Sequence, residues 1–224
     1  MVASVDRQIC LRLPLAGPAA LPGGPVRLED AQAEAFSELL QVFACGEESA
    51  ALAFAHLGGS AVEDAARYGL ARIAEEELIH ERLLRGLRAA LPAPDRELRR
   101  ALLRFYHGVA QPDIGLHLAA IAALDSAVCV ILATLLEPDR VLAREPEIAT
   151  ILGRIHRDEG GHVRLSRRLA TELVDRDAIG AVAENARLGL VDLLARRGAE
   201  FECLNVDAGR LFARIARVPI GLFR

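Results

Sequence analysis

Two Glu-x-x-His pairs, Glu77-x-x-His80 and Glu159-x-x-His162, recur 82 positions apart in a chain whose apolar pattern is otherwise that of long helices. At i and i+3 on a helix, a carboxylate and an imidazole project from the same face. Two such faces, joined by one further acid from each of two other helices, form a six-ligand cage for two metal ions. The pattern therefore demands four helices, packed closely enough to bring six polar side chains together inside one core.

Composition is consistent with that demand. At 224 residues the chain is long enough for one sizeable core, and its 52% hydrophobic and 26% charged content is that of a globular protein. Aromatic residues make up only 4%, while Ala, Leu and Arg dominate, a palette that builds helices well and sheets poorly. The formal net charge of -4 argues against binding a nucleic-acid backbone. No Lys is present, so all 27 basic side chains are Arg. Cys10, Cys45, Cys129 and Cys203 form no Cys-x-x-Cys pair, and they are expected as reduced thiols of a cytoplasmic protein. No run of 18 uninterrupted apolar residues occurs, so no segment is expected to span a membrane.

Apolar periodicity predicts a first helix from about Leu28 to His56, stopped by Gly58-Gly59-Ser60, and Ser60-Ala-Val-Glu63 resembles a capping box for the next. The second helix runs to about Leu91, before Pro92-Ala-Pro94. A shorter amphipathic segment, Asp95 to His107, leads to a third long helix from about Asp113 to Leu136, and a fourth runs from about Glu147 to Leu173. Two more segments follow, near Asp177 to Arg197 and Asp207 to Arg217. The expected fold is all-α: two helical hairpins joined by one long crossover, the connectivity of a ferritin-like four-helix bundle. The expected organisation is an extended N-terminal arm (1–27), a di-metal bundle (28–175) and a C-terminal helical extension packed on it (176–224).

Residues level with each other on an antiparallel hairpin lie equally far from its turn. Residue 62 is midway between Glu47 and Glu77, and residue 142 midway between Asp125 and Glu159; both midpoints fall in or beside expected turns. Glu47 lies on the stripe of Phe36, Leu40, Phe43 and Phe54, whereas Glu48 sits one step around. Asp125 is a lone acid on the stripe of Leu118, Ile121, Val128 and Leu132; its rival Glu137 stands at the helix end before Pro138. Ionised carboxylates inside an apolar bundle are costly unless paired or metal-bound. Four of them with two neutral imidazoles would neutralise two divalent ions. Such O and N donors suit iron or manganese.

The segments carrying these residues resemble the ferritin-like di-iron superfamily. Gly46-Glu47-Glu48-Ser49-Ala50 is similar to the Gly-Glu-x-x-Ala segment on the first helix of rubrerythrins and demethoxyubiquinone hydroxylases. Ala74-Glu75-Glu76-Glu77-Leu78-Ile79-His80 resembles their second-helix segment, and Asp158-Glu159-Gly160-Gly161-His162 the fourth-helix one. The resemblance covers about residues 28–175 and implies Glu47, Glu77, His80, Asp125, Glu159 and His162 as metal ligands. Asp125 stands where the family usually has Glu. Gly160-Gly161 is unusual inside a helix; it implies a close approach, a π-bulge or simple tolerance. His156, three residues before Glu159, is a candidate extra ligand or a neighbour of one.

By this resemblance the chain would hold two iron ions, or manganese with iron, and use dioxygen to oxidise a small organic, possibly carrier-bound, substrate as an oxidase or monooxygenase. A ferroxidase or iron-handling protein is the alternative, and a helical bundle without metal a third. The partners implied are a small-molecule substrate, with a ferredoxin, a reductase or an acyl carrier protein, and a homodimer, as further candidates. Arg82, Arg85, Arg88, Arg96, Arg99, Arg100 and Arg104 are either a solvated face or a dock for an acidic partner.

Overall fold

The computed structural model describes residues 27–61, 63–94 and 96–217. Among these residues there are eight α-helices and no strand: α1 (Asp30–Ser60), α2 (Asp64–Ala89), α3 (Arg96–Val109), α4 (Ile114–Leu135), α5 (Pro146–Leu173), α6 (Arg176–Ala195), α7 (Gly198–Cys203) and α8 (Ala208–Ala216). The expected N-terminal arm lies outside the described residues except for Arg27, whose amide donates to Glu145 Oε2 at 2.9 Å.

Local chemistry starts each helix. The Glu29 amide donates to the Gln32 side chain at the head of α1, Asp113 accepts from the Leu116 amide at α4, and Pro146 opens α5 where no amide donor is needed. Asp175 and Asp207 likewise accept from the first-turn amides of α6 and α8. The first hairpin departs from its sequence expectation. α1 runs through Gly58-Gly59 to Ser60, and Ser60 Oγ donates back to the His56 carbonyl at 3.2 Å instead of capping α2. Glu63 takes the capping position of α2. The turn at residue 142 contains a single 3-10 turn, Leu142–Arg144.

Four long helices surround the core: α1 pairs with α2, α4 with α5, and α2 meets α5 between the hairpins. The crossover helix α3 lies on α1 and reaches α6; α6 packs along α4, α7 against α1, and α8 against α4 and α6. Ile179, Leu190, Leu194, Phe201, Leu211 and Ile215 from these later helices belong to the same buried cluster as Phe36, Phe54 and Leu118. Fully burying one such side chain contributes about 2 kcal/mol, so α6 to α8 are part of what holds the long helices in register.

The central helix α4 is the most apolar. An 18-residue window of this 22-residue helix has a mean hydropathy of 2.3, apolar and long enough for a membrane span, yet 72% of that window is buried. A helix hydrophobic all round is what the centre of a large bundle requires. Its one acid is Asp125.

Candidate metal centre

Six ionisable side chains from four helices are buried in the core, five of them in mutual contact and Asp125 beside them. α1 supplies Glu47, α2 Glu77 and His80, α4 Asp125, and α5 Glu159 and His162; Glu77, His80, Glu159 and His162 are each at most 2% exposed. Ligand atoms of Glu47, Glu77, His80 and Glu159 all lie within 4.8 Å of one another, close enough to share a metal ion. His80 Nδ1 is 3.1 Å from Glu47 Oε2, 3.5 Å from Glu77 Oε2 and 3.6 Å from Glu159 Oε1. His162 Nδ1 is 3.0 Å from Glu77 Oε1 and 3.4 Å from Glu159 Oε1, which places a fifth donor on the same cluster. The two imidazoles stack at 5.7 Å, and Phe54 meets His162 edge-on at 6.2 Å.

Asp125 borders the group. It is buried, its Oδ2 lacks a hydrogen-bond partner, and the charges of Glu159 and Glu77 act on it. Glu48 turns away toward Arg99, 3.7 Å distant, and Glu137 pairs with Arg140 at 2.6 Å at the end of α4. His156 is half-buried and has no hydrogen bond or ion pair to the cluster among the described residues. Gly160 and Gly161 sit in an uninterrupted α-helix. A Cβ at Gly160 would meet nothing within 4 Å, and one at Gly161 only the tip of Arg164. There is neither a π-bulge nor a close approach at this pair; the glycines are tolerated.

Electrostatics reflect the crowding. Burial first, then the charges of neighbouring acids, hold the carboxyls of Glu47 and Asp125 well above the ordinary range, and Glu159 is raised for the same reasons. Glu77 goes the other way: burial opposes ionisation, but polar contacts with Glu47, His162 and His80 outweigh it and bring the carboxyl down to about 2. For His162, burial favours the neutral ring, yet its contacts with Glu159 and Glu77 push it up to about 11. Without metal the cluster thus balances its charge with protons. Both Glu77 oxygens, Asp125 Oδ2 and His162 Nδ1 are buried with no aligned hydrogen bond. Orphaned buried polar atoms are rare, and here they converge on one small volume. A donor set of carboxylate oxygens and imidazole nitrogens fits a hard or borderline divalent cation.

Two acids that the sequence reading did not single out complete the site. His80 Nε2 lies 3.0 Å from Asp158 Oδ2, and His162 Nε2 lies 3.0 Å from Glu76 Oε2. Each imidazole is held on its far nitrogen by a carboxylate from the opposite hairpin, which fixes the ring and frees Nδ1 for the cage. The signal was present: in both motifs an acid directly precedes the Glu, giving Glu76-Glu77-x-x-His80 and Asp158-Glu159-x-x-His162.

No family model, curated protein or solved structure matches this chain. Its function must be read from the site.

Proposed function

We propose that this protein is a ferritin-like di-iron oxidase or monooxygenase that uses dioxygen to oxidise a small organic substrate. The observation that supports the reading best is the buried cluster itself. Two Glu-x-x-His faces and Glu47 meet in one apolar core with Asp125 buried beside them, and both imidazoles contact carboxylates on their outer nitrogens.

Glu47, Glu77, His80, Asp125, Glu159 and His162 would hold the two ions. Two reduced irons bound there would supply the electrons for reducing dioxygen. Glu77 and Glu159 lie between the two histidines, each placing a carboxylate oxygen within 3.6 Å of each Nδ1 atom. Asp158 and Glu76 hold the imidazoles in place. The surrounding apolar side chains, Phe54 among them, keep bulk water from the centre. Exclusion of water strengthens each electrostatic contact inside and protects reactive species from side reactions.

The deciding experiment is elemental analysis after anaerobic reconstitution with ferrous iron, followed by absorption spectra on admitting air. The expected result is about two irons per chain and an oxygen-dependent absorption change. A protein that takes up no iron under these conditions is not a di-iron enzyme. One that binds two irons and goes on to oxidise and accumulate many more is an iron-handling protein instead.

A further inference from the structure

Where the crossover helix α3 reaches α6, the two helices leave a cleft of about 490 Å³ between them. Its described lining includes none of the six candidate metal ligands and neither of the acids behind the imidazoles. The spacing of the lining residues explains why they meet. Leu98, Ala101 and Arg104 recur every three positions and share one face of α3, and Asp192, Leu193 and Arg196 share one face of α6. Phe105 fixes the distance between the two helices: it lies against Gly189 of α6, where an added Cβ would be 3.0 Å from Phe105 Cε2.

The lining is apolar in one part and cationic in another. Leu98 is buried, and Ala101 and Leu193 are half-buried. Three arginines and one acid, Asp192, supply the charge, a local positive excess in a chain whose formal net charge is -4. The arginines are not equivalent. Arg197 is engaged by Glu200 at 3.0 Å and by Glu38 of α1 at 3.6 Å, and so ties this end of the cleft to α1 and α7. Arg104 and Arg196 are exposed and hold no ion pair or hydrogen bond among the described residues. Their guanidinium groups are free to present the planar fork that matches a carboxylate or a phosphate. A concave site of about 300–1,000 Å³ with apolar walls and a few polar groups is the usual form of a small-molecule pocket.

We propose that this cleft binds a small organic anion with an aliphatic portion, its carboxylate or phosphate held by Arg104 and Arg196 and its chain laid over Leu98, Ala101 and Leu193. The arginines select the negative charge, and the apolar lining selects an amphiphile over a bare ion. Arg197, already neutralised, shapes the wall and leaves the headgroup to the other two.

The test is isothermal titration calorimetry on the full-length protein, with octyl phosphate and octanoate as probes below their aggregation limits. The expected result is saturable binding of one probe per chain, and the tighter of the two identifies the headgroup. Arg104→Gln and Arg196→Gln are each expected to weaken it about tenfold, the loss of one charged hydrogen bond. Both side chains are exposed, so both variants are expected to melt with wild type. Inorganic phosphate and the neutral octyl glucoside, which carry one half of the chemistry each, are expected to bind at least tenfold more weakly. No saturable binding of either probe overturns the proposal, as does an affinity unchanged in both arginine variants. Inorganic phosphate binding as tightly as octyl phosphate makes this a bare anion site and overturns it too. An oligoglutamate peptide that binds more tightly than both probes makes the cleft a protein dock, and a dimer that octyl phosphate dissociates makes it a contact between copies; either result overturns it. None of these outcomes depends on whether the buried cluster holds iron.

Discussion

His162 and Glu76 belong to different hairpins, 86 residues apart in sequence, yet His162 Nε2 lies 3.0 Å from Glu76 Oε2 while its Nδ1 faces Glu77 and Glu159. The His80–Asp158 pair repeats the arrangement in the opposite direction. Glu76→Gln or Asp158→Asn keeps the size of the side chain but weakens its hold on the imidazole. Each is expected to lower metal affinity by about 10- to 100-fold, measured by competition with a chelator of known strength. Affinities equal to wild type would mean these carboxylates are incidental neighbours.

The candidate ligands and the neighbouring Glu48 separate cleanly. Glu77→Ala and His162→Ala each remove a donor from the buried cluster and are expected to abolish binding of at least one ion. Glu48→Ala, which touches only the Arg99 pair, is expected to bind the same amount of metal as wild type. Elemental analysis of the three purified variants tests all three at once.

Loading should become more stabilising as pH rises. Glu47, Asp125 and Glu159 are raised, so the metal-free fold keeps protons that the unfolded chain gives up above the ordinary carboxylate range. Their contribution is complete at low pH and is lost as pH rises. His162, raised to about 11, acts in the same direction: its contribution is full below its usual 6.5 and declines up to about 11. Glu77, lowered to about 2, adds stability that fails only in strong acid. The metal-free protein is therefore expected to lose stability between about pH 5 and about pH 8, and the melting-temperature gap between loaded and metal-free protein to widen over that range. A gap that is constant or narrows with pH would contradict the proton-balanced cluster.

Gly160 and Gly161 offer a control for strain near the centre. Each sits mid-helix with open space where a Cβ would go. Gly160→Ala and Gly161→Ala are each expected to stabilise the fold by about 1 kcal/mol, seen as a higher denaturant midpoint with metal content unchanged. Destabilisation by either would expose a packing or functional demand on these glycines.

The long helices and the buried group of Glu47, Glu77, His80 and Glu159 were legible because period and spacing are local properties. Glu77 and His80 share a face whatever surrounds them, and Asp125 stands out against the alanines and leucines of α4. Ser60 shows where such reading fails: its capping pattern competes with one more turn of α1, and contacts between α1 and α2 decide the matter. A Cβ at Gly58 would lie in ordinary contact, 3.5 Å, with Leu70 of α2, so the end of α1 is held against its partner helix through the expected break. Asp158 and Glu76 escaped notice because their partners lie across the core, and no spacing within one helix reports a contact with another. For the arginine stretch, the structure shows Arg85 paired with Glu81 and Arg99 with Glu48, while Arg100 and Arg104 are exposed.

The candidate ligands are divided evenly between the hairpins, three from α1 and α2 and three from α4 and α5, and Glu47 and Glu159 are separated by 112 residues of chain. Neither half can assemble the complete site by itself. High-affinity metal uptake at this site would therefore follow the docking of one hairpin on the other and come late in folding. A time course of metal capture during refolding would time that meeting of distant segments. In the finished protein the ions would act as a rivet between halves whose direct packing, α2 against α5, is sparse beside the packing within each hairpin.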